Sequence, residues 1–283
     1  MKLAILTDIH ANYRALEAVI DHIERWLPDL VLVAGDIVNR GPRSADCFHL
    51  IEKKRKTENW QVIRGNHEGY VLMAASAERF DNPRLREMYR IAIYTYEQLQ
   101  DELDTLQAMP ERLSFDFNGS GEVRMLHASM IHNRDGIYPE TTDVELAKKI
   151  SPAPRVFITG HTHRPLVRTL NGTLVVNAGS VGLPFDADPR PGYAQLVLRN
   201  GDWQAEIIRL EYDLDAALRD FDTAGFMSRG GPLAELVRLE LRSGLSQLYP
   251  WMVRYRDAVL EGEIGIAQAV DEFLQRPIVK PYW

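Results

Sequence analysis

The chain has 283 residues, 45% of them apolar and 26% charged, the balance of an ordinary globular protein long enough for one large core or a core with an appendage. Its formal charge of -7 excludes the basic footprint that non-specific capture of long nucleic acid or an anionic membrane requires. A single cysteine, Cys47, excludes an intrachain disulfide and a thiolate metal site. With no signal-like apolar segment before Asp8 and no run near the roughly 18 apolar residues of a membrane helix, a cytoplasmic location without membrane contact is expected.

Residues 2–7 form an apolar run of strand length, and residues 12–26 carry Ala15, Leu16, Val19, Ile20 and Ile23 at helical spacing. Residues 29–34 are apolar on both faces, as in a parallel strand covered on both sides. A helix over 44–54 and a strand over 60–64 complete an α/β alternation, in which ligands gather beyond the C-terminal strand ends. Residues 68–109 show long helical periodicity, with Tyr70, Tyr89, Tyr94 and Tyr96 among the apolar positions. They are expected as two helices broken near Asn82-Pro83, standing beside or over the site. Strands resume over 113–117 and 123–127 around the glycine-rich turn 118–121. An irregular polar loop over 130–142, a helix to about Ile150 and a strand over 155–159 follow. Asn171-Gly172 and Asn200-Gly201 mark two hairpins, 166–170 with 173–177 and 193–198 with 203–210. Helical periodicity then runs from about Glu211 to Gln275, and Pro277 and Pro281 end it. The predicted fold is α/β (α+β): a mixed β-sandwich of the four-layer type flanked by helices over 1–210, with a helical extension over 211–283 packed on it.

Five of the strand ends carry residues able to bind a metal: Thr7-Asp8-Ile9-His10, Gly35-Asp36, Gly65-Asn66-His67-Glu68, His127-Ala128-Ser129 and Gly160-His161-Thr162-His163. An Asp-x-His or His-x-His pair places both side chains on one side of the turn, because residues i and i+2 share a face. Carboxylate mixed with imidazole suits manganese, iron or zinc better than calcium or magnesium, which favour oxygen shells. Of the eight histidines, His10, His67, His127, His161 and His163 directly follow predicted strands. His22 and His49 sit at ordinary amphipathic helical positions, while His132, in the polar loop, is open to a pocket-lining role. Any one pair reads equally well as a turn cap. Together the five segments point to two metal ions with Asp36 shared between them.

The ordered set Asp8-x-His10, Gly35-Asp36 with Arg40-Gly41, Gly65-Asn66-His67-Glu68, His127 and Gly160-His161-x-His163 resembles the calcineurin-like metallophosphoesterases. Thr7 to Asn12 and Asn177-Ala-Gly-Ser-Val-Gly182 look more like the small bacterial phosphodiesterase branch, and extend the likeness to about residue 210. The resemblance implies that Asp8, His10, Asp36 and His163 hold one metal and Asp36, Asn66, His127 and His161 the other. A shared carboxylate partly neutralises two dications, and a hydroxide held between them is a nucleophile at neutral pH. The metals implied are two divalent transition ions, manganese first, with iron, zinc, nickel or cobalt as alternatives.

His67 has no ligand role in that pattern. It is a candidate to protonate the leaving oxygen or to stabilise transition-state charge, with a supporting contact to the carboxylates as the plainer reading. Glu68 is expected to cap the next helix. Arg40 reads as a bidentate phosphate clamp or a structural salt bridge, and Asn12 as a contact to the bound phosphate or a helix cap. Three positions depart from the family pattern: Ala11 stands where glycine is common, Ala178 where proline is usual, and Asn39 where the phosphoprotein phosphatases carry aspartate. None removes a ligand, and Asn39 argues against a protein phosphatase.

The expected activity is dimetal-dependent hydrolysis of a phosphodiester or phosphomonoester of a small substrate, a nucleotide or dinucleoside polyphosphate. The alternatives are a serine/threonine-type phosphoprotein phosphatase and a non-catalytic scaffold on the same fold. Pocket walls are expected from residues 70–109, from 130–142 and from the tail. Tyr249, Trp251, Tyr255, Tyr282 and Trp283 would suit a homodimer contact through the C-terminal helices, the plainer reading being packing within the chain.

Overall fold

Alternation of side chains along the strands produces the layers. In β1 (Lys2–Leu6), Leu3 and Ile5 point to one face and Ala4 and Leu6 to the other, and all four are fully buried. The computed structural model describes residues 1–76, 82–117 and 119–276. One sheet has the order β10-β9-β1-β2-β3, the last four being β9 (Gly192–Arg199), β1, β2 (Leu30–Val33) and β3 (Gln61–Val62), with β10 (Asp202–Arg209) at the edge. Strands β1, β2 and β3 are parallel, whereas β9 is antiparallel to both β1 and β10. The second sheet runs β4 (Arg112–Asp116), β5 (Glu122–Leu126), β6 (Val156–Thr159), β8 (Thr173–Asn177), β7 (Leu166–Leu170), and is also mixed.

Leu3, Ile5, Val123, Met125, Val156, Ile158, Ala194 and Leu196 meet in the apolar layer between the sheets. Ala4, Leu6 and Val33 face a helical layer built on α1 (Tyr13–Trp26) and α2 (Ser44–Glu58), which supplies Leu16, Val19, Phe48 and Ile51. On the far side, Phe157 and Val175 pack against Leu146 of α7 (Asp143–Lys149) and against Ile137 and Ile150. This is the expected four-layer sandwich. No described helix is long and apolar enough to cross a membrane.

The segment expected as two helices is divided more finely, into α3 (Asn66–Ala74), α4 (Pro83–Met88), α5 (Arg90–Leu99), a short 3-10 turn and α6 (Leu103–Ala108). The break at Asn82-Pro83 has the expected chemistry, because Asn82 Oδ1 accepts from the Arg84 and Leu85 amides and Pro83 occupies the first helical position. Strand β3 is shorter than expected because Arg64 leaves the ladder to bond Pro110 O at 2.8 Å.

The tail consists of α8 (Leu214–Thr223), α9 (Phe226–Arg229), α10 (Leu233–Ser243), α11 (Leu248–Glu261) and α12 (Ile266–Leu274). Its apolar faces share a cluster with Ile91, Tyr94, Leu183 and Phe185 of the preceding chain. Trp251 and Tyr255, two of the candidate interface aromatics, are buried in this cluster, whereas Tyr249 is 72% exposed. Asn118, Pro277, Pro281, Tyr282 and Trp283 lie outside the described residues.

Candidate metal centre

The loops following β1 and β2 continue the parallel pairing of their strands: Asp8 N bonds Gly35 O at 3.1 Å, His10 N bonds Asp36 O at 3.0 Å and Ala11 N bonds Ile37 O at 3.0 Å. Gly160 N reaches His127 O at 2.9 Å and does the same for the other sheet. Asp8, His10, Asp36, His161 and His163 all have positive φ, between 46° and 68°. That left-handed conformation is uncommon outside glycine, and its concentration at one point marks loops held by their surroundings for a purpose other than stability. Two glycines permit the approach: a Cβ at Gly65 would overlap Asp36, and one at Gly160 would overlap Thr7 and Asp8.

All five motifs meet. His163 Nε2 lies 3.2 Å from Asp8 Oδ1 and 3.0 Å from His10 Nε2, and His10 Nε2 lies 3.6 Å from Asp8 Oδ1 and 3.7 Å from Asp36 Oδ2. On the other side of Asp36, Oδ2 is 3.2 Å from His127 Nε2. Asn66 Oδ1 lies 3.1 Å from that nitrogen and 2.8 Å from His161 Nδ1. Three close groupings of donor atoms result: Asp8, His10 and His163; His10, Asp36 and His67; and Asp36, His127 and His161, so that Asp36 is linked through His10 to the first and belongs directly to the other two.

These residues fit divalent cations, and the hydrogen bonds show why. His10, His127 and His163 each place Nδ1 against a backbone carbonyl, of Asn39 at 3.3 Å, Ala34 at 2.8 Å and Leu183 at 2.5 Å. A carbonyl only accepts, so Nδ1 carries the proton and Nε2 presents its lone pair to the centre. Two such lone pairs 3.0 Å apart, at His10 and His163, repel unless a cation joins them. Asp8 Oδ2 accepts from Thr7 Oγ1 at 2.7 Å and His161 N at 2.8 Å, while Asp8 Oδ1 is buried with no hydrogen-bond partner. An orphaned carboxylate oxygen between two imidazole nitrogens is an acceptor awaiting a positive charge. The facing donor atoms lie 2.8 to 3.7 Å apart, close enough for one ion to reach several of them.

The charge balance of the metal-free site agrees. Burial would raise the Asp36 carboxyl, but the surrounding His127, His67 and His10 hold it below the carboxylate range. Burial likewise acts on Asp8 and is outweighed by His163 and His10. Without a cation His127, despite burial, is pushed up to about 10 by Asp36, so its Nε2 then holds a second proton facing that carboxylate, the place a cation would take. Burial lowers His10 and His67, and takes His161 down to about 4 with help from His127.

Glu68 does more than cap a helix. Its Oε2 accepts from Gly65 N at 2.8 Å, which is the expected cap, and from Asp36 N at 3.0 Å. Its Oε1 accepts from Ile37 N at 2.7 Å and Val38 N at 3.3 Å. This fully buried side chain therefore sets the backbone that carries Asp36.

Asn12 caps α1. Its Oδ1 accepts from Ala15 N at 3.1 Å, and its Nδ2 donates to Gly182 O at 3.0 Å and Tyr212 OH at 3.4 Å, which occupies the whole amide. His22 bonds Tyr193 and His49 pairs with Glu102, while His132 is exposed and accepts from Arg134 N, so none joins the centre.

A cavity of about 770 Å³ opens above the ligands, with Asp36, His67, His161 and His163 on its floor. Its walls come from the 130–142 loop, through Tyr138 and Glu140, and from the tail, through Ser246 and Tyr249. No described residue of 70–109 lines it, contrary to expectation. Arg40 and Phe185 lie between floor and wall; the Arg40 guanidinium stands 5.5 Å from the Phe185 ring, which stacks on His163 at 4.3 Å.

Arg40 Nη2 also pairs with Glu240 of α10, at 2.8 Å and 3.0 Å to its two oxygens. Glu240 escaped the sequence reading, although a signal existed. It shares one helical stripe with Leu233, Leu236, Val237 and Leu241, and an acid on an apolar stripe calls for a buried partner.

A family model of the calcineurin-like phosphoesterase superfamily domain matches residues 1–201. The chain is 28% identical to an uncharacterised protein of Methanocaldococcus jannaschii over 234 residues, which is 76% of this chain and 89% of that protein. A shorter likeness, 36% over 70 residues, joins it to a symmetrical bis(5'-nucleosyl)-tetraphosphatase of Wigglesworthia glossinidia brevipalpis, covering 24% of this chain and 25% of that one. Among solved structures, a metallophosphoesterase from Sphaerobacter thermophilus superposes with a TM-score of 0.67 at 26% identity, over 87% of this chain and 100% of its own.

Proposed function

Because this chain belongs to the calcineurin-like phosphoesterase superfamily and is a metal-dependent phosphoric ester hydrolase, we propose that it cleaves a small phosphodiester or phosphomonoester of the nucleotide or dinucleoside polyphosphate kind. The carrying observation is the meeting of two donor groups at one buried carboxylate, Asp36, on the floor of a cavity of small-molecule size. In this reading Asp8, His10, Asp36 and His163 hold one ion and Asp36, Asn66, His127 and His161 the other, with manganese the first choice for oxygen and imidazole donors. When bound, the ions supply a water-derived nucleophile at neutral pH and neutralise phosphoryl charge.

The chain's own residues do the remainder. His67 and Arg40, both on the cavity, face the transferring phosphoryl group and bind the charge that develops on it. Glu68 and the left-handed loops keep the donor atoms in place before the ions arrive, so little reorganisation accompanies binding. Residues 1–210 form the catalytic domain in this proposal, and 211–283 an extension that completes its cavity wall. The likeness to a tetraphosphatase, although it covers a quarter of that enzyme, supports testing dinucleoside polyphosphates first.

Protein prepared without chelator and supplied with manganese should hydrolyse at least one of bis-p-nitrophenyl phosphate, p-nitrophenyl phosphate and diadenosine tetraphosphate. Absence of turnover on all three overturns the reading.

A further inference from the structure

The tail enters the centre through a single carboxylate. Glu240 is fully buried in α10 and Arg40 is nearly so, yet they are 200 residues apart in sequence. Glu240 Oε1 accepts from the Gln247 and Leu248 amides, both at 2.9 Å, as well as from Arg40 Nη2. One side chain therefore secures the start of α11, which carries Tyr249 on the cavity rim, and one end of the guanidinium on its floor.

That guanidinium is not fully satisfied. Arg40 Nε is buried and has no hydrogen-bond partner, on a residue that lines the same cavity as Asp36, His67 and His163. A guanidinium is a rigid plane in which Nε–H and Nη2 share one edge, so the pair with Glu240 restricts the whole group. The face of the fork is fixed as well, by the Phe185 ring that stacks on His163. A guanidinium held on the lining of a cavity beside Asp36, His67 and His163 suits an oxyanion acceptor.

We infer that Glu240 is a positioning residue for the reaction: it anchors Arg40 by Nη2 and so holds the guanidinium at the cavity, where it meets a phosphoryl oxygen of the substrate. The helical extension is then part of the active site rather than a support for it. This rests on the proposed reading of Arg40 as a phosphoryl contact.

The test is a double-mutant cycle on manganese-loaded full-length protein, with inorganic phosphate affinity read by calorimetry and kcat and KM read on diadenosine tetraphosphate and bis-p-nitrophenyl phosphate. Glu240→Gln should weaken phosphate and raise KM about tenfold, the scale of one charge-assisted contact, with metal content unchanged. The same change in an Arg40→Ala background should add less than about twofold, because an effect transmitted through Arg40 vanishes with it. Glu240→Asp keeps the charge but shortens the reach, and should lie between; it also serves as the deciding variant if Glu240→Gln does not fold. Phosphate affinity unchanged in a folded Glu240 variant, or an equal loss with and without Arg40, overturns the inference while leaving the proposed activity standing. Arg40→Ala with undiminished phosphate affinity overturns the inference together with Arg40's assignment. Wild-type protein that neither binds phosphate nor turns over any substrate overturns both readings.

Discussion

Asn39 Nδ2 lies 3.0 Å from His67 Nδ1, and the amide has only one orientation available, since its Oδ1 accepts the Arg40 amide at 2.9 Å and the Thr95 hydroxyl at 3.4 Å. The amide therefore donates to Nδ1, and the ring proton of neutral His67 resides on Nε2. Burial holds that imidazole in its neutral form. A neutral ring can offer Nε2–H as a hydrogen bond but has no acidic proton to release, which supports the charge-stabilising role proposed for His67.

Asn39→Asp reverses that arrangement. A carboxylate can only accept, so it draws the proton to Nδ1 and favours imidazolium. The 15N NMR signature of His67 should move from the Nε2–H tautomer to the doubly protonated ring, and kcat should acquire an alkaline limb absent from the wild type. An unchanged tautomer in a folded variant would sink the assignment.

Removing the shared carboxylate should disturb both ions. Asp36→Asn keeps the size but removes the negative charge that lies between His10 and His127. Expected are loss of most bound manganese by elemental analysis and a fall in turnover of at least about a thousandfold, the scale of losing a principal electrostatic element. His10→Ala, which touches one side only, should retain roughly one ion per chain. Retention of both ions in Asp36→Asn would contradict a bridging role.

The metal-free site makes a prediction with a definite sign. His127 rises from about 6.5 to about 10 because Asp36 stabilises its proton. A folded-state pKa above the unfolded one contributes stability that is complete below about pH 6.5 and is lost as pH climbs toward 10. Glu68, which burial and Asp36 push up to about 7, works in the same direction below that pH, but His161 and His10, lowered by burial, oppose it there. Between pH 7 and 9 His127 dominates. Chelated protein should therefore lose stability with rising pH by at most about 1.4 kcal/mol per unit, measured by denaturant melts. Asp36→Asn should flatten the slope. At pH 8, manganese binding to the chelated protein should release about one proton, detectable by calorimetry in buffers of different ionisation enthalpy.

How much of this was legible depended on how far apart in sequence the partners lie. Asp8 and His10, or His161 and His163, announce themselves because strand ends and short spacing make a local pattern, and the five motifs in order extend it to the whole ligand set. The two-sheet sandwich was equally legible, since Leu3 and Ile5 against Ala4 and Leu6 is a period-two pattern. Arg40 was ambiguous for a physical reason: whether a guanidinium is free or paired is decided by a residue 200 positions later. The Asn12 amide was ambiguous likewise until Gly182 and Tyr212 were seen to occupy it. The cavity walls were legible in part: the 130–142 loop and the tail supply Tyr138 and Tyr249 as expected, whereas no described residue of 70–109 does, because which segments meet over the floor is set only by tertiary packing.

Glu68 offers the last prediction, one that separates scaffold from chemistry. Its carboxylate accepts four backbone N–H groups, from Gly65, Asp36, Ile37 and Val38. Glu68→Gln replaces one acceptor oxygen by an NH2 group that faces N–H donors, leaving at least one buried amide unsatisfied at a cost of about 1–3 kcal/mol. The Asp36 loop then loses the anchor that holds its left-handed turn, although no metal donor has been removed. Expected are a lower melting temperature even with chelator present, weaker manganese binding, and recovery of most activity at saturating manganese. Asp36→Asn should show no such recovery. If Glu68→Gln loses activity that manganese cannot restore while its melting temperature is unchanged, Glu68 takes part in the chemistry itself and the scaffold role fails.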